Sequence, residues 1–419
     1  MTWMTFVTFS LACLPAGETL DEPRLMPGPW RAWLDSPGGE LPFRVDFRPM
    51  HGGLRVLISN GVEQIEVPKV FWQEKQLVLD IDYYDSIIRA KVSEDGVRLD
   101  GQWTKRRGPD QWTKMAFHAI TGAASRFPIK LSGPEPRNAP SFDGRWAVSF
   151  SGSDDPAVGI FRTFYPGTAV GTFLTTGGDY RYLAGNYDER QMRLSCFDGA
   201  HAFLFHATRQ ADGTLKGDFW SADKWHQTWT AKPDEKAELP DAFAQVEWTG
   251  KVPLGKVTFP DLDGKQRSLD DPAFKGKARI ISIFGSWCPN CHDDAKLLQV
   301  LHRRYSGRGL SIVGLAFELT GDQKRDAEQV RKFIARHKLT YPVLIAGVKG
   351  KAKSSEAFPL LDRIRAYPTT VFMDSVGEVY AVHTGITGPA SGDLYHEMWD
   401  EFETIIEGLL LDEAEADKP

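Results

Sequence analysis

Cysteine is scarce in this sequence, with four residues among 419. So few cysteines exclude the disulfide framework that holds many small secreted domains together. No second Cys-x-x-Cys and no His-x-x-x-His accompanies the single pair Cys288 and Cys291. A zinc site, which needs four ligands, is therefore disfavoured.

Long apolar runs and an excess of positive charge are lacking as well. The apolar N-terminal stretch, residues 1–17, is too short to span a bilayer. The net charge is −6 and the pI is near 6.0, which argues against nucleic acid or an anionic membrane surface as the main partner. The 42% hydrophobic content allows packed cores, and the length of 419 residues favours two or three domains.

Residues 1–17 are typical of the hydrophobic region of a signal peptide, and they predict export to the periplasm or cell envelope. No Lys or Arg precedes Glu18, however, which is unusual for such a signal. Leu11-Ala12-Cys13 is similar to a bacterial lipobox, in which Cys13 would carry lipid and anchor the protein to a membrane. A plain disordered terminus is the alternative.

The stretch Gly285-Ser286-Trp287-Cys288-Pro289-Asn290-Cys291 concentrates the chemistry of the chain. It joins a predicted buried strand, residues 278–284, to a helical pattern over residues 289–305. Cys288 then lies at a helix start, where unpaired N–H groups and the helix dipole favour a thiolate. Cys291 lies one turn deeper, within reach of a small disulfide ring. We therefore predict that Cys288 attacks and Cys291 resolves; a structural disulfide or half of a zinc site is the alternative.

Residues from Trp30 to about Lys232 predict short strands separated by turns, with many aromatic residues. The region also repeats itself. Gly28-Pro-Trp30 recurs as Gly144-Arg-Trp146, and Gly101-Gln-Trp103 recurs as Gly217-Asp-Phe219 at the same offset along the chain. Two matches at one offset indicate an internal duplication.

The duplication predicts two β-rich repeats, residues 28–131 and 141–232, joined by a Pro-rich linker over residues 132–140. Each repeat is expected to form a barrel or a sandwich, and the Gly-x-Trp opening is similar to the first strand of lipocalin-like barrels. Each is also short for a complete barrel, so one sheet system shared by both is an alternative. Cys196 is expected on a strand, as a small buried side chain.

Beyond a charged linker, residues 233–255, strands and helices alternate, which predicts an α/β domain over residues 256–411. The predicted elements are a hairpin over 257–269 turning at Asp263-Gly264, strands over 278–284, 310–317, 341–345, 369–374 and 379–383, and helices over 289–305, 325–337, 355–366 and 394–409.

A strand leading into Trp287-Cys-x-x-Cys, followed later by Tyr367-Pro368-Thr369 before a β-hairpin, resembles the thioredoxin fold. The N-terminal hairpin, the extra strand and helix and the exported start make residues 250–411 similar to the TlpA/ResA-like extracytoplasmic thiol-disulfide oxidoreductases. This resemblance leaves the β-rich region unexplained. It implies a cis bond before Pro368, a backbone at Tyr367 and Thr369 that meets an extended substrate segment, and a docking role for Trp287.

The resemblance also assigns roles to two acidic residues. Asp294 takes the place of a Glu that shares a proton with the resolving thiol in this family, although its side chain is one methylene shorter. A capping carboxylate near the positive helix end is the alternative. Ser282 takes the place of the buried acid of cytoplasmic thioredoxins. Glu318 ends a strand and should lie on the same sheet edge as the cysteine loop, as an auxiliary proton carrier.

The sequence therefore predicts a secreted or envelope-anchored enzyme that exchanges dithiols and disulfides, with reduction favoured over oxidation. Its expected partners are disulfide-containing proteins and a redox protein that supplies electrons, and the sulfur chemistry requires no metal or organic cofactor. Two alternatives stay open. One is an envelope module that binds a ligand or protein through the β-rich region. The other is a thiol peroxidase, which would need a Thr-x-x-Cys frame where this chain has Gly285.

Overall fold

The computed structural model describes residues 24–122, 125–128, 142–164 and 167–416. Two antiparallel nine-stranded sheets precede an α/β domain built on a five-stranded sheet, so the predicted fold class is confirmed. The signal-like stretch 1–17, Cys13 and the linker 132–140 lie outside the described residues. No helix in these ranges is both long and apolar enough to cross a membrane.

The first β unit is an antiparallel meander in which the first strand also pairs with the last. Its strands are β1 (Gly28–Ser36), β2 (Gly39–Met50), β3 (Gly53–Asn60), β4 (Glu63–Glu66), β5 (Lys69–Gln73), β6 (Gln76–Ile81), β7 (Ser86–Val92), β8 (Arg98–Arg106) and β9 (Trp112–Thr121). Alternate residues of β1, namely Trp30, Ala32 and Leu34, are buried, because successive side chains of a strand point to opposite faces.

The second β unit closes on itself as a barrel, because β10 pairs with both β11 and β18, and β11 pairs with β12. Its strands are β10 (Gly144–Phe150), β11 (Ala157–Phe164), β12 (Thr168–Thr175), β13 (Gly178–Asp179), β14 (Leu183–Tyr187), β15 (Gln191–Phe197), β16 (Ala202–Arg209), β17 (Leu215–Ser221) and β18 (Trp225–Pro233). Cys196 lies in β15 and is fully buried, as predicted.

The predicted duplication is visible in the hydrogen bonds that open the two units. The indole N–H of Trp30 donates to the carbonyl of Met26 over 2.9 Å. The indole N–H of Trp146 donates to the carbonyl of Phe142 over 3.1 Å. Each repeat forms its own sheet, so the alternative of one shared sheet system is wrong.

The two β units pack directly against each other. The rings of Phe43 and Phe197 lie 4.4 Å apart, and the side-chain amide of Asn60 donates to the carbonyl of Phe197 over 2.9 Å. The guanidinium of Arg126 donates to the hydroxyl of Ser195 over 3.0 Å. The units are therefore joined by apolar contacts and by buried polar ones.

The α/β domain has the strand order β23-β22-β21-β24-β25, with β21 parallel to β22 and antiparallel to β24. Its elements are β19 (Thr258–Pro260), β20 (Gln266–Ser268), β21 (Ala278–Phe284), α1 (Pro289–Tyr305), β22 (Leu310–Glu318), α2 (Gln323–His337), β23 (Val343–Val348), α3 (Lys351–Ala357), β24 (Thr369–Asp374), β25 (Val379–Thr384) and α4 (Asp393–Ala416). Every residue of the central strand β21 is buried, and the cysteine motif follows its end.

The predicted helix over residues 355–366 is wrong in its bounds, because α3 ends at Ala357. Pro359 follows two residues later. Proline lacks the backbone N–H that a helix needs, and it disfavours helical conformation at the preceding residue, here Phe358. The chain beyond α3 is instead held by Ile364, whose backbone N–H donates to the hydroxyl of Ser355 over 2.8 Å.

The charged segment 233–255 packs against the α/β domain. Val246 is buried, and the backbone N–H of Thr249 donates to the carbonyl of Leu360 over 2.8 Å. The β-rich region is thus followed by a segment that is fixed along part of its length.

Candidate active site

The two cysteines of the motif differ in exposure and in hydrogen bonding. Cys288 is the N-cap of α1, and its Sγ accepts the backbone N–H of Cys291 over 3.3 Å. Pro289 occupies the first helical turn, where a missing N–H costs no hydrogen bond. Both cysteines are free thiols, with 8% of Cys288 exposed and none of Cys291. Burial raises the pKa of Cys291 well above its ordinary value, so only Cys288 is presented to an incoming group.

The loop before β24 faces the nucleophile. The Tyr367–Pro368 peptide bond is cis, and the Sγ of Cys288 lies 3.6 Å from the carbonyl oxygen of Tyr367. Thr369 is fully buried, and its hydroxyl donates to the carbonyl of Ala366 over 2.9 Å. Tyr367 and Pro368 therefore meet the cysteine motif, whereas the side chain of Thr369 points into the fold.

The side chain of Trp287, next to Cys288 in the chain, packs against the loop that contains Tyr367. Its indole N–H donates to the carbonyl of Phe317 over 2.8 Å, and its ring lies 5.6 Å from that of Tyr367 in an edge-on arrangement. The ammonium of Lys349 lies 4.8 Å from the centre of the same ring, a distance at which a cation is attracted to an aromatic face.

A match to a known family falls in the C-terminal part of the chain. Residues 251–382 match the AhpC/TSA family. The thioredoxin-like protein YneN of Bacillus subtilis (strain 168) is 28% identical over 124 residues, 30% of this chain and 65% of that protein. The thiol-disulfide oxidoreductase ResA of Halalkalibacterium halodurans is 24% identical over 148 residues, 35% of this chain and 70% of that protein. The C-terminal domain is ResA-like.

The chain spans about two thirds of the length of these curated relatives. ResA of Bacillus thuringiensis subsp. konkukian is 29% identical over 133 residues, 31% of this chain and 68% of that protein. A thioredoxin-family thiol:disulfide interchange protein from Chlorobium tepidum TLS aligns at 22% identity with a TM-score of 0.28, covering 42% of this chain and 99% of that one.

Within the ResA-like domain, Asp294 is buried behind the cysteine pair. The hydroxyl of Ser282 donates to its carboxylate over 3.3 Å. Burial raises the pKa of Asp294 to about 7, and the nearby charge of Asp293 acts in the same direction. Asp294 in turn helps to raise the pKa of Cys291. A carboxyl group with a pKa near neutrality is what general acid-base transfer to and from the thiol would need, and this role of Asp294 stays a prediction.

Asp294 should also make stability depend on pH. Its folded pKa of about 7 exceeds an unfolded value of about 3.9, so the folded state retains this proton at pH values where the unfolded state has lost it. The resulting stabilisation is complete below about pH 4 and is lost as pH rises to about 7. The free energy of unfolding of Asp294→Asn should therefore rise relative to that of the parent protein as the pH increases. From pH 4 to pH 8 the difference should grow by roughly 2–4 kcal/mol.

Urea unfolding at several pH values measures this difference. Asp263→Asn is a matched control, because the side chain of Asp263 is 88% exposed and its removal should leave the pH profile unchanged. Parallel profiles of Asp294→Asn and the parent would contradict a raised pKa at this position.

Glu318 holds the loop that precedes the nucleophile. Its carboxylate accepts the backbone N–H of Ser286 over 2.8 Å and the Ser286 hydroxyl over 2.7 Å. It is fully buried, and burial raises its pKa to about 7. The predicted position at the sheet edge is thus observed, and the contacts fit a positioning residue. A role in proton transfer stays a prediction.

Two histidines in contact with each other, the buried His292 and the partly buried His337, also support this loop. The imidazole of His292 contacts the carbonyl of Ser286 through Nε2 over 2.8 Å and His337 through Nδ1 over 2.7 Å. Because a carbonyl only accepts, Nε2 of His292 donates and its Nδ1 accepts from His337. Burial lowers the pKa of His292 well below its ordinary value and that of His337 to about 3. Both rings are therefore neutral near pH 7.

An arginine from the second β unit reaches the first turns of α1. Arg181 is buried, and its guanidinium contacts the carboxylates of Asp293, of Glu63 at 2.9 Å and of Asp198 at 3.4 Å. Asp293 follows Cys291 by two positions, whereas Glu63 and Asp198 belong to the two β units. One side chain thus joins three parts of the chain next to the site; we call these four residues the Arg181 cluster.

Sequence reasoning missed the contributions of the β units to this site. Arg181 and Asp293 lie 112 positions apart, and no spacing rule relates residues across such a distance. In the described part of the chain, no three His, Cys, Asp or Glu side chains are grouped as a metal site would require.

Proposed function

We propose that the protein is a thiol-disulfide oxidoreductase that exchanges dithiol and disulfide with its substrate through Cys288 and Cys291. One observation carries this proposal. The Sγ of Cys288 accepts the N–H of Cys291 and lies 3.6 Å from the carbonyl of Tyr367, while Cys291 is buried behind it. An accessible sulfur backed by a second sulfur at the start of a helix is the arrangement that thiol-disulfide exchange needs.

In the proposed reaction, the thiolate of Cys288 attacks one sulfur of a substrate disulfide. A mixed disulfide forms, and the other substrate sulfur leaves as a thiolate that takes a proton from water. Cys291 then passes its proton to the carboxylate of Asp294 and attacks the sulfur of Cys288. The second substrate thiolate leaves, so two electrons have moved from the cysteine pair to the substrate. A dithiol redox protein must return the Cys288–Cys291 disulfide to the reduced state.

The proposed location is the periplasm or the cell envelope. Residues 1–17 support it through their likeness to a signal peptide, and Cys13 is the proposed point of lipid attachment. Disulfide-containing proteins remain the expected substrates from the family resemblance. The mass of the mature N-terminus would test both the cleavage and the lipid.

Trapping the intermediate tests the proposed reaction. In reduced Cys291→Ala, an attack by Cys288 on glutathione disulfide should leave a stable mixed disulfide, because no second sulfur can displace it. Intact-mass measurement should find one added glutathionyl group, located on Cys288 by peptide mapping. Cys196→Ala is the control, since it keeps both motif cysteines and should release the adduct. Absence of the adduct in Cys291→Ala would contradict the proposal.

A further inference from the structure

The β units restrict access to Cys288 on one side. The turn from Thr175 to Asp179, between β12 and β13, lies against the cysteine motif; we call it the cover turn. The side-chain amide of Asn290 donates to the carbonyl of Asp179 over 3.3 Å. A Cβ added to Gly178 would lie 2.1 Å from Nδ2 of Asn290. The backbone of the cover turn therefore contacts Asn290, one of the two residues between the cysteines.

The cover turn also reaches the loop that holds the cis bond. A Cβ added to Gly177 would lie 3.8 Å from the Cβ of Ala366, the residue before Tyr367. A Cβ added to Gly385, beyond β25, would lie 2.9 Å from the carbonyl oxygen of Thr176. The turn thus occupies space beside Tyr367, where the family resemblance leads us to expect an extended substrate segment.

Contacts on several sides fix the β units over the ResA-like domain. Arg181, the centre of the Arg181 cluster, follows the cover turn by two residues and contacts Asp293 in α1. The guanidinium of Arg336 in α2 lies 3.8 Å from the centre of the Tyr83 ring, and the amide of Gln329 donates to the carbonyl of Asp82 over 2.9 Å. These contacts join both β units to α1 and α2, and they hold the cover turn against the cysteine motif.

Positive charge lies on the Trp287 side of the cysteine motif. Lys349 lies over the ring of Trp287. Lys105, from β8 of the first β unit, donates through its ammonium to the carbonyl of Ala200 over 2.9 Å. Among the described residues, neither lysine forms an ion pair with a carboxylate. Arg107 adds a third cation, whose acidic neighbour Asp223 lies 4.0 Å away.

These cations act on one another and on the nucleophile. Burial lowers the pKa of Lys105 to about 8; the charge of Asp198 opposes this shift, the charge of Lys349 adds to it, and negative charge on Cys288 opposes it. Burial also lowers the pKa of Lys349, with Arg107 acting in the same direction and Cys288 against it. Two parts of the chain thus bring mutually repelling ammonium groups to one thiol, and an added anion would relieve the repulsion.

From the cover turn and this cationic border we infer that the substrate is a small anionic disulfide, which enters on the Trp287 side between Lys105 and Lys349. This inference rests on the proposed dithiol-disulfide exchange, and it replaces the protein substrates expected from the family resemblance with a small-molecule class. The cover turn lies against Ala366 and Gly385, so it leaves less room for an extended protein segment along Tyr367. Carboxylates flanking a small disulfide would supply the negative partners that the two lysines lack.

Single-turnover oxidation of the pre-reduced full chain tests the substrate class. Glutathione disulfide is net anionic, hydroxyethyl disulfide is neutral, cystamine is cationic, and insulin is a folded protein. Each rate is divided by the rate of the same disulfide with free dithiothreitol, which removes intrinsic reactivity. We expect glutathione disulfide to exceed cystamine at least about tenfold at low salt, with a smaller ratio at high salt, and insulin to be slowest. Insulin or cystamine matching glutathione disulfide would overturn the inference.

Charge removal separates recognition of the substrate from activation of the thiol. The double variant Lys105→Gln, Lys349→Gln removes two cations that also favour the Cys288 thiolate, so both disulfides should react more slowly. The loss should be roughly fivefold larger or more for glutathione disulfide than for hydroxyethyl disulfide, each measured against the parent protein. Lys216→Gln, at an exposed position of β17, is the control. An equal loss for both disulfides would mean that the lysines act only on the Cys288 thiolate, which overturns the inference. No reaction with any disulfide would instead contradict the proposed function itself.

Discussion

Cys288→Ser should lower the rate of disulfide exchange on the order of a thousandfold or more, since it removes the attacking atom itself. A serine hydroxyl is not ionised near neutral pH and is a poor nucleophile towards sulfur. Cys291 cannot take its place, because it has no exposed surface and burial raises its pKa. The rate is measured in a single turnover, by counting the thiols that remain after mixing the reduced protein with glutathione disulfide.

Two further measurements make this result specific. Cys196→Ala alters a buried cysteine in β15 and should retain the parental rate. Peroxide consumption by the parent protein addresses the peroxidase alternative, which predicts faster reaction with peroxide than with disulfide. A Cys288→Ser protein with undiminished exchange would show that the reactive sulfur lies elsewhere.

Arg181→Leu should destabilise the folded protein by about 3–5 kcal/mol, the cost of removing one partner from a buried ionic cluster. The arginine contacts Asp293, Glu63 and Asp198. Its charge helps to hold the pKa values of Asp293 and Asp198 below the ordinary range, so both are ionised at neutral pH. Without Arg181, two negative charges would remain buried beside each other. The midpoint of urea unfolding, followed by tryptophan fluorescence, measures the loss.

Arg365→Leu is the matched control for this effect. Arg365 pairs with Asp155 at 2.6 Å, but the Asp155 side chain is 52% exposed, and exposed pairs contribute at most about 1 kcal/mol. The deficit of Arg181→Leu should also shrink at pH 5, where Glu63 is neutral because burial raises its pKa to about 7. Equal losses for the two variants would contradict the importance of the Arg181 cluster.

The sequence predicted those parts of the molecule that depend on local pattern. The strand before the motif is uniformly buried, and the helix after it begins at Pro289. The hydrophobic run and the spacing of the cysteines were therefore sufficient to predict both elements. The duplication was detectable because the tryptophan that opens each unit recurs at the same offset in the sequence. In both units this tryptophan forms the same kind of local hydrogen bond, which accounts for its recurrence. The positions of Asp294 and Glu318 near the motif were predictable, because Asp294 lies one helical turn after Cys291 and Glu318 ends a strand; their roles in proton transfer stay predictions.

Features that depend on distant parts of the chain were not predictable in this way. Lys105 and Arg181 look like ordinary charged residues of β strands and turns, and only the packing of three units brings them to the cysteine motif. Local rules also failed within one predicted helix, 355–366, where Pro359 outweighs the helical spacing of apolar residues around it. Closure of the second sheet into a barrel depends on strand pairing, which alternation of side chains does not specify.

The Arg181 cluster determines which fragments of this protein are informative in the laboratory. A fragment that begins near residue 251 would keep Asp293 and His292 but lose the guanidinium and the aromatic rings that shield them. Water would then reach the flank of the helix that carries both sulfurs, and the electrostatic surroundings of the thiols would change. Redox potentials measured on such a fragment would describe the fragment and not the intact protein.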